Sequence, residues 1–119
     1  MAQHWRLIKG DPKKFFGLLD DRLSRAISCK VEHNTAHSIG DAQMYVRTYE
    51  RYSMAGGNRV SLNVAVLVVG DQMVVDMTAA GGSEAVLFKI NTFGEEAFLN
   101  EAVAALDTYE SSTKGGGGR

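Results

Sequence analysis

Three β-branched, alternating runs separated by two short turns leave this chain little freedom in how it folds. Met44 to Tyr52 leads into the turn Ala55-Gly56-Gly57-Asn58; Arg59 to Val69 leads into Gly70-Asp71; Gln72 to Thr78 follows. Period-two runs joined by turn residues that tolerate positive φ predict an antiparallel meander. A further turn, Gly40-Asp41, precedes the first run, so the strand before the glycine turn spans 42–54.

Pairing must put like faces together, because a one-residue slip turns every side chain to the other side. With Gly70-Asp71 as a two-residue loop, Val68 faces Met73, Val66 faces Val75 and Val64 faces Met77, one aliphatic face. Leu67 then faces Val74, Ala65 faces Asp76 and Asn63 faces Thr78. At the Gly56-Gly57 turn, an even loop would place Arg47 and Arg51 on the aliphatic side. The sequence therefore predicts an odd loop with a glycine bulge. Arg51 then pairs with Ser61, Tyr49 with Asn63 and Arg47 with Ala65. Met44, Val46 and Thr48 would point into the core, with Glu50 toward its rim.

Two helices complete the pattern. Asp11-Pro12 reads as a helix start, and Phe15, Phe16, Leu19, Leu23, Ala26 and Ile27 form one apolar stripe ending near Ile27. Thr92 and Glu95 match a capping box, followed by Phe98, Leu99, Ala102, Val103, Leu106 and Tyr109 on one side. Short strands are predicted over 5–9 and 86–91, and an edge strand over 29–39. Residues 1–110 form one domain in this reading, and the Ser/Gly-rich stretch 111–119 a disordered tail. The expected fold is an α+β two-layer sandwich, β-α-β-β-β-β-α. Its helices share one face, a topology like that of TATA-binding-protein-like domains or a short helix-grip.

At 119 residues with 45% hydrophobic content, the chain can bury a core without staples. The lone Cys29 excludes an internal disulfide and fits a reducing compartment. No signal peptide and no membrane-length apolar run is seen, which predicts a soluble cytoplasmic protein. A net charge of −1 argues against nucleic acid. Charge is divided along the chain. Residues 1–30 carry seven basic and three acidic side chains, and residues 91–110 carry five acidic and no basic ones. This division predicts mutual attraction of the two helices, opposite ends of a self-association contact, or two solvated faces.

The run from Arg47 to Asn63 (RTYERYSMAGGNRVSLN) and that from Phe88 to Leu99 (FKINTFGEEAFL) resemble a family of small bacterial proteins of unknown function. The resemblance spans residues 40–106. It implies the fold and the localisation, and it supplies no activity, cofactor or catalytic residue.

The first candidate site is the open sheet face: Tyr45, Arg47, Tyr49, Arg51, Ser61, Asn63, Asp76 and Thr78, with Leu67, Val69 and Val74 as an apolar end. Tyr and Arg anchor interfaces, and Arg grips anions. Cys29, His33 and His37 would share a strand face, but four residues span about 13 Å, too far for one metal ion. Gly81-Gly82-Ser83 is a weak loop candidate for an anion and matches no phosphate-binding motif. Glu50, on the helix side, would need a basic partner such as Arg22, Arg25 or Lys30. No catalytic residue, metal or cofactor is predicted. The expected function is a non-catalytic interaction module forming a homodimer through its open sheet face. The alternative is a small-ligand carrier using the Tyr/Arg face or a sheet–helix cavity. An enzyme of unknown class ranks third.

Overall fold

Gly70 turns back with φ 64°, a conformation in which a side chain is strained, and this closes the two-residue hairpin that sets the sheet. The computed structural model describes residues 1–26, 29–53, 58–81 and 90–117. Its elements are β1 (Ala2–Lys9), α1 (Pro12–Ala26), β2 (Lys30–Ile39), β3 (Ala42–Ser53), β4 (Asn58–Val69), β5 (Gln72–Gly81) and α2 (Ile90–Gly117). The strands form one antiparallel sheet in the order β1-β5-β4-β3-β2. Both helices lie on the same side, which gives the α+β two-layer arrangement. Val68 pairs with Met73, Val66 with Val75 and Val64 with Met77, as the hairpin pattern predicts.

α1 starts where the sequence places it. The Asp11 Oδ1 accepts from the Lys13 amide at 2.9 Å, and the Asp11 carbonyl accepts from the Phe15 amide at 3.1 Å. Phe15, Phe16, Leu19 and Leu23 are buried against Leu62, Val64, Val66, Val75 and Met77. Burying each such side chain stabilises the fold by about 1.5–3 kcal/mol. α2 contributes Phe98, Leu99, Ala102, Ala105, Leu106 and Tyr109 to the same core. It begins at Ile90, so Thr92 lies inside the helix rather than at its cap. Of the predicted strand over 86–91, residues 90 and 91 are helical and 86–89 lie outside the described residues. The helix also continues through 111–117, where the composition predicts a tail; the Ser112 and Thr113 hydroxyls donate to the carbonyls of Tyr109 and Glu110, both at 2.8 Å.

The charge division is used within the fold. Arg6 on β1 pairs with Asp107 at 2.7 Å and with Glu110 at 3.0 Å, and Arg22 on α1 pairs with Glu101 at 2.8 Å. The basic first 30 residues, through β1 and α1, therefore meet the acidic last helix within the fold. Burial opposes the charge on Arg6, yet hydrogen bonds to Asp107 and Glu110 outweigh it and hold the guanidinium more firmly protonated than usual.

Gly81 ends β5 opposite Val60 with φ 105°, and a Cβ there would lie 2.4 Å from the Arg59 carbonyl oxygen. At Gly70 the same added atom would meet open space. Urea denaturation of Gly70→Ala is expected to show a loss of about 1–2 kcal/mol, the cost of a left-handed side chain. Gly81→Ala is expected to lose clearly more, because the β4 backbone must also move; equal losses would contradict the close approach.

Candidate functional site

The β3–β4 register decides what each sheet face presents. Arg51 pairs with Val60, Tyr49 with Leu62, Arg47 with Val64 and Tyr45 with Val66, with Ser53 opposite Asn58. Four residues separate the strands, so the register is that of an even loop and not of the predicted odd one; residues 54–57, where the glycine bulge is predicted, lie outside the described residues. Tyr45, Arg47, Tyr49 and Arg51 accordingly lie on the helix-covered side. They are not an open Tyr/Arg surface, and the contact surface built on them is withdrawn.

An arginine is tolerated beneath α1 because α1 carries its partner. Arg47 Nη1 donates to Asp20 Oδ2 at 2.5 Å, and Tyr49 Oη donates to Asp20 Oδ1 at 2.6 Å. The Arg47 guanidinium carbon sits 4.6 Å from the centre of the Phe16 ring, a stacking contact that shields it from water. The Phe16 ring also lies 6.3 Å from that of Tyr45. Arg47 side-chain exposure is 18%, while that of Asp20 is 39%, so the carboxylate keeps partial contact with water. Burial opposes the Arg47 charge, but the hydrogen bond and charge of Asp20 prevail and raise its pKa. Burial also pushes the Tyr49 phenol well above its ordinary value, and its bond to Asp20 adds to the shift. A tyrosine that holds its proton this firmly is a donor at neutral pH and no general base.

Beside this cluster, Gly17, Asp20, Ser24, Cys29, Val31 and Tyr49 line an open groove of about 410 Å³. Burial raises the Cys29 thiol, and the nearby Asp20 charge adds to the effect. A thiol so shifted is a weak nucleophile. Cys29 is separated from the histidines by a register shift between Val31 and His33, which puts His33 and His37 opposite Thr48 and Met44 on the open face. Among the described residues, no three His, Cys, Asp or Glu side chains gather to hold a metal ion.

The open face carries the other half of every strand. Asn63, Leu67, Val74, Asp76 and Thr78 lie on it as the sequence predicts. Around them stand Trp5 and Leu7 from β1, Met44 and Val46 from β3, Val69 from β4 and Ile39 from β2. Trp5 is 66% exposed and Leu67 48%. The apolar residues fill the end near the Gly40 and Gly70 turns. The other end is polar: Asn63 donates to Thr48 at 3.1 Å, and Arg59 forks onto Glu50 Oε1 at 3.0 and 2.6 Å, with Ser61 on Oε2 at 3.2 Å. Glu50 thus lies on the open side with a β4 partner, not under the helices. Alternation alone does not expose Met44 and Val46, because they read as core once the arginines are assigned to solvent. The signal that reassigns them is Asp20 on the otherwise apolar side of α1. Gly82 and Ser83 lie outside the described residues, and Gly81 is part of β5.

A model of a family of unknown function matches residues 1–110. The chain belongs to that family, DUF6054. No curated protein matches it. The match covers the whole sheet, both faces and α2 as far as Glu110, so this DUF6054 chain carries the Asp20 cluster and the apolar face within the family region.

Asp20→Ala in this DUF6054 chain is expected to cost about 2–3 kcal/mol by urea denaturation, since it strands a charged donor and a buried hydroxyl together; a loss below about 0.5 kcal/mol would contradict the cluster. The raised phenol also gives a pH signature. Unfolded tyrosine ionises near pH 10, whereas folded Tyr49 keeps its proton, so its contribution is full below about pH 10 and falls as pH rises. Stability between about pH 9.5 and 11.5 is expected to drop more steeply for the wild type than for Tyr49→Phe. Parallel curves would contradict it.

Proposed function

We propose that this chain is a non-catalytic interaction module and that the occupant of its open sheet face is a second copy of itself. The observation that carries the reading is the uncovered apolar half of that face. Trp5, Leu7, Leu67, Val74, Met44 and Val69 lie side by side across four strands, and among the described residues no layer stands above them. Contiguous exposed apolar surface of this kind marks contact sites. Aromatic and Met side chains are enriched in interface cores.

Size supports a stable homodimer. Five strands spaced about 4.8 Å apart, with five outward rows about 6.8 Å apart, give a face of roughly 800 Å². A standard interface buries about that much on each partner, and overlap of three rows at the apolar end, roughly 500 Å² on each, still reaches the roughly 1,000 Å² total that a specific contact needs. Two such faces packed about 10 Å apart would make a sandwich core. Growth at the β2 edge is less favoured. The β2 edge is interrupted at Glu32 and offers Lys30, Glu32, His33 and Asn34 to solvent, the kind of polar, bulged edge that resists strand addition. No helix among the described residues is long and apolar enough to cross a membrane. A cytoplasmic setting suits a single Cys29 thiol with no disulfide partner.

A second reading, a small-ligand carrier, is favoured by the groove beside Asp20 and Cys29. Native mass spectrometry of the purified chain separates the two: a doubled mass supports self-association, and an adduct on a single chain supports the carrier.

Sedimentation at about 10 and about 200 µM is expected to show the weight-average mass rising toward that of a dimer. Emission from Trp5, the only tryptophan, is expected to shift to the blue over the same range. Val74→Asp is expected to abolish both changes while leaving far-UV circular dichroism intact. A wild type that stays monomeric at the higher concentration would overturn the reading.

A further inference from the structure

Resting on that self-association, we infer that the two copies pair about a two-fold axis running across the strands along the row Leu7, Val74, Leu67 and Met44, so that Lys9 of each copy meets Asp76 of the other. The carrying observation is a carboxylate in the wrong surroundings. Asp76 is exposed on β5 between Val74 and Thr78, with Trp5 on one side and Ala65 on the other. No ion pair among the described residues includes Asp76 or Lys9. The other acid of this face, Glu50, is held by Arg59.

A face dimer that covered Asp76 without a donor would be strongly disfavoured, because a desolvated carboxylate would be left unpaired. That penalty selects among the ways two identical faces can stack with aligned strands. An axis along β4 sets Asp76 against the partner's Val46, an aliphatic side chain. An axis across the strands through Asp76 itself sets the two carboxylates against each other. An axis across the strands one row nearer the hairpin turns, through Val74 and Leu67, does neither. There Asp76 faces the partner's Gln72, a hydrogen-bond donor, and the partner's Lys9 stands one strand away, above Trp5. Gln72 and Lys9 are themselves paired across β5 and β1, so they arrive as a unit. A lysine stem spans most of the about 10 Å between packed sheets, and its ammonium over an indole gains a cation–π contact. The same axis lays Leu67 on the partner's Leu67 and Val74 on the partner's Val74, which centres the apolar half on itself. Hydrophobic area thus drives association, and one charge pair per half fixes the register.

A charge swap on the full chain tests this. Lys9→Asp and Asp76→Lys are each expected to weaken the dimer at least about tenfold by sedimentation equilibrium. The double variant is expected to return to within about threefold of wild type. Both residues are exposed, and unchanged circular dichroism would show that the fold is kept. Asp76→Ala is a second reading of the same point: it weakens the dimer if Asp76 is paired across the interface. Additive losses in the double variant, or an Asp76→Ala dimer tighter than wild type, would overturn the pairing while leaving self-association standing. A monomeric wild type would overturn both.

Discussion

The carboxylate of Asp20 decides which way β3 faces. It accepts from Arg47 and Tyr49 together, and with the Phe16 ring it makes the underside of α1 a place where a guanidinium can lie. Side chains alternate along a strand, so drawing Arg47 and Tyr49 under the helix sends Met44, Val46 and Thr48 outward. One ion pair between elements 27 residues apart therefore sets the chemistry of a face on which Asp20 does not lie.

The hairpin around Gly70 is legible because both of its faces are consistent with a two-residue loop. The α1 start at Asp11-Pro12, the apolar stripes of both helices and the polar edge strand β2 are legible from capping, periodicity and composition. The β3–β4 register is not. A rule that keeps arginine out of a core is sound only when no acid waits there, and neighbouring residues do not reveal one. Two of the three acids in residues 1–30, Asp20 and Asp21, lie on α1, and only Asp20 meets β3. The apolar end of the candidate face was legible through Leu67, Val69 and Val74. Its larger part was not, because Trp5 and Leu7 join it through the pairing of β1 with β5, the first strand with the last.

The proposed self-association rests on the imbalance between the two faces. Both helices are spent on one side, where β3 supplies tyrosine and arginine while β4 and β5 supply the aliphatic core. On the other side, the hydrophobic residues are sorted toward the hairpin end and the hydrogen-bonded polar pairs toward the loop end. Such sorting would give the proposed contact surface an apolar part and a polar margin. The Asp20 cluster itself reads as a lock, since its tyrosine retains a proton and both carboxylate oxygens are occupied.

Strand parity is measured most directly by interstrand nuclear Overhauser effects across β3 and β4. The account predicts cross-peaks joining Arg47 to Val64 and Tyr49 to Leu62 as opposed pairs, with the Arg47 side-chain methylenes close to the Phe16 ring. Cross-peaks that instead oppose Arg47 to Ala65 and Tyr49 to Asn63, with Phe16 near Val46, would contradict it.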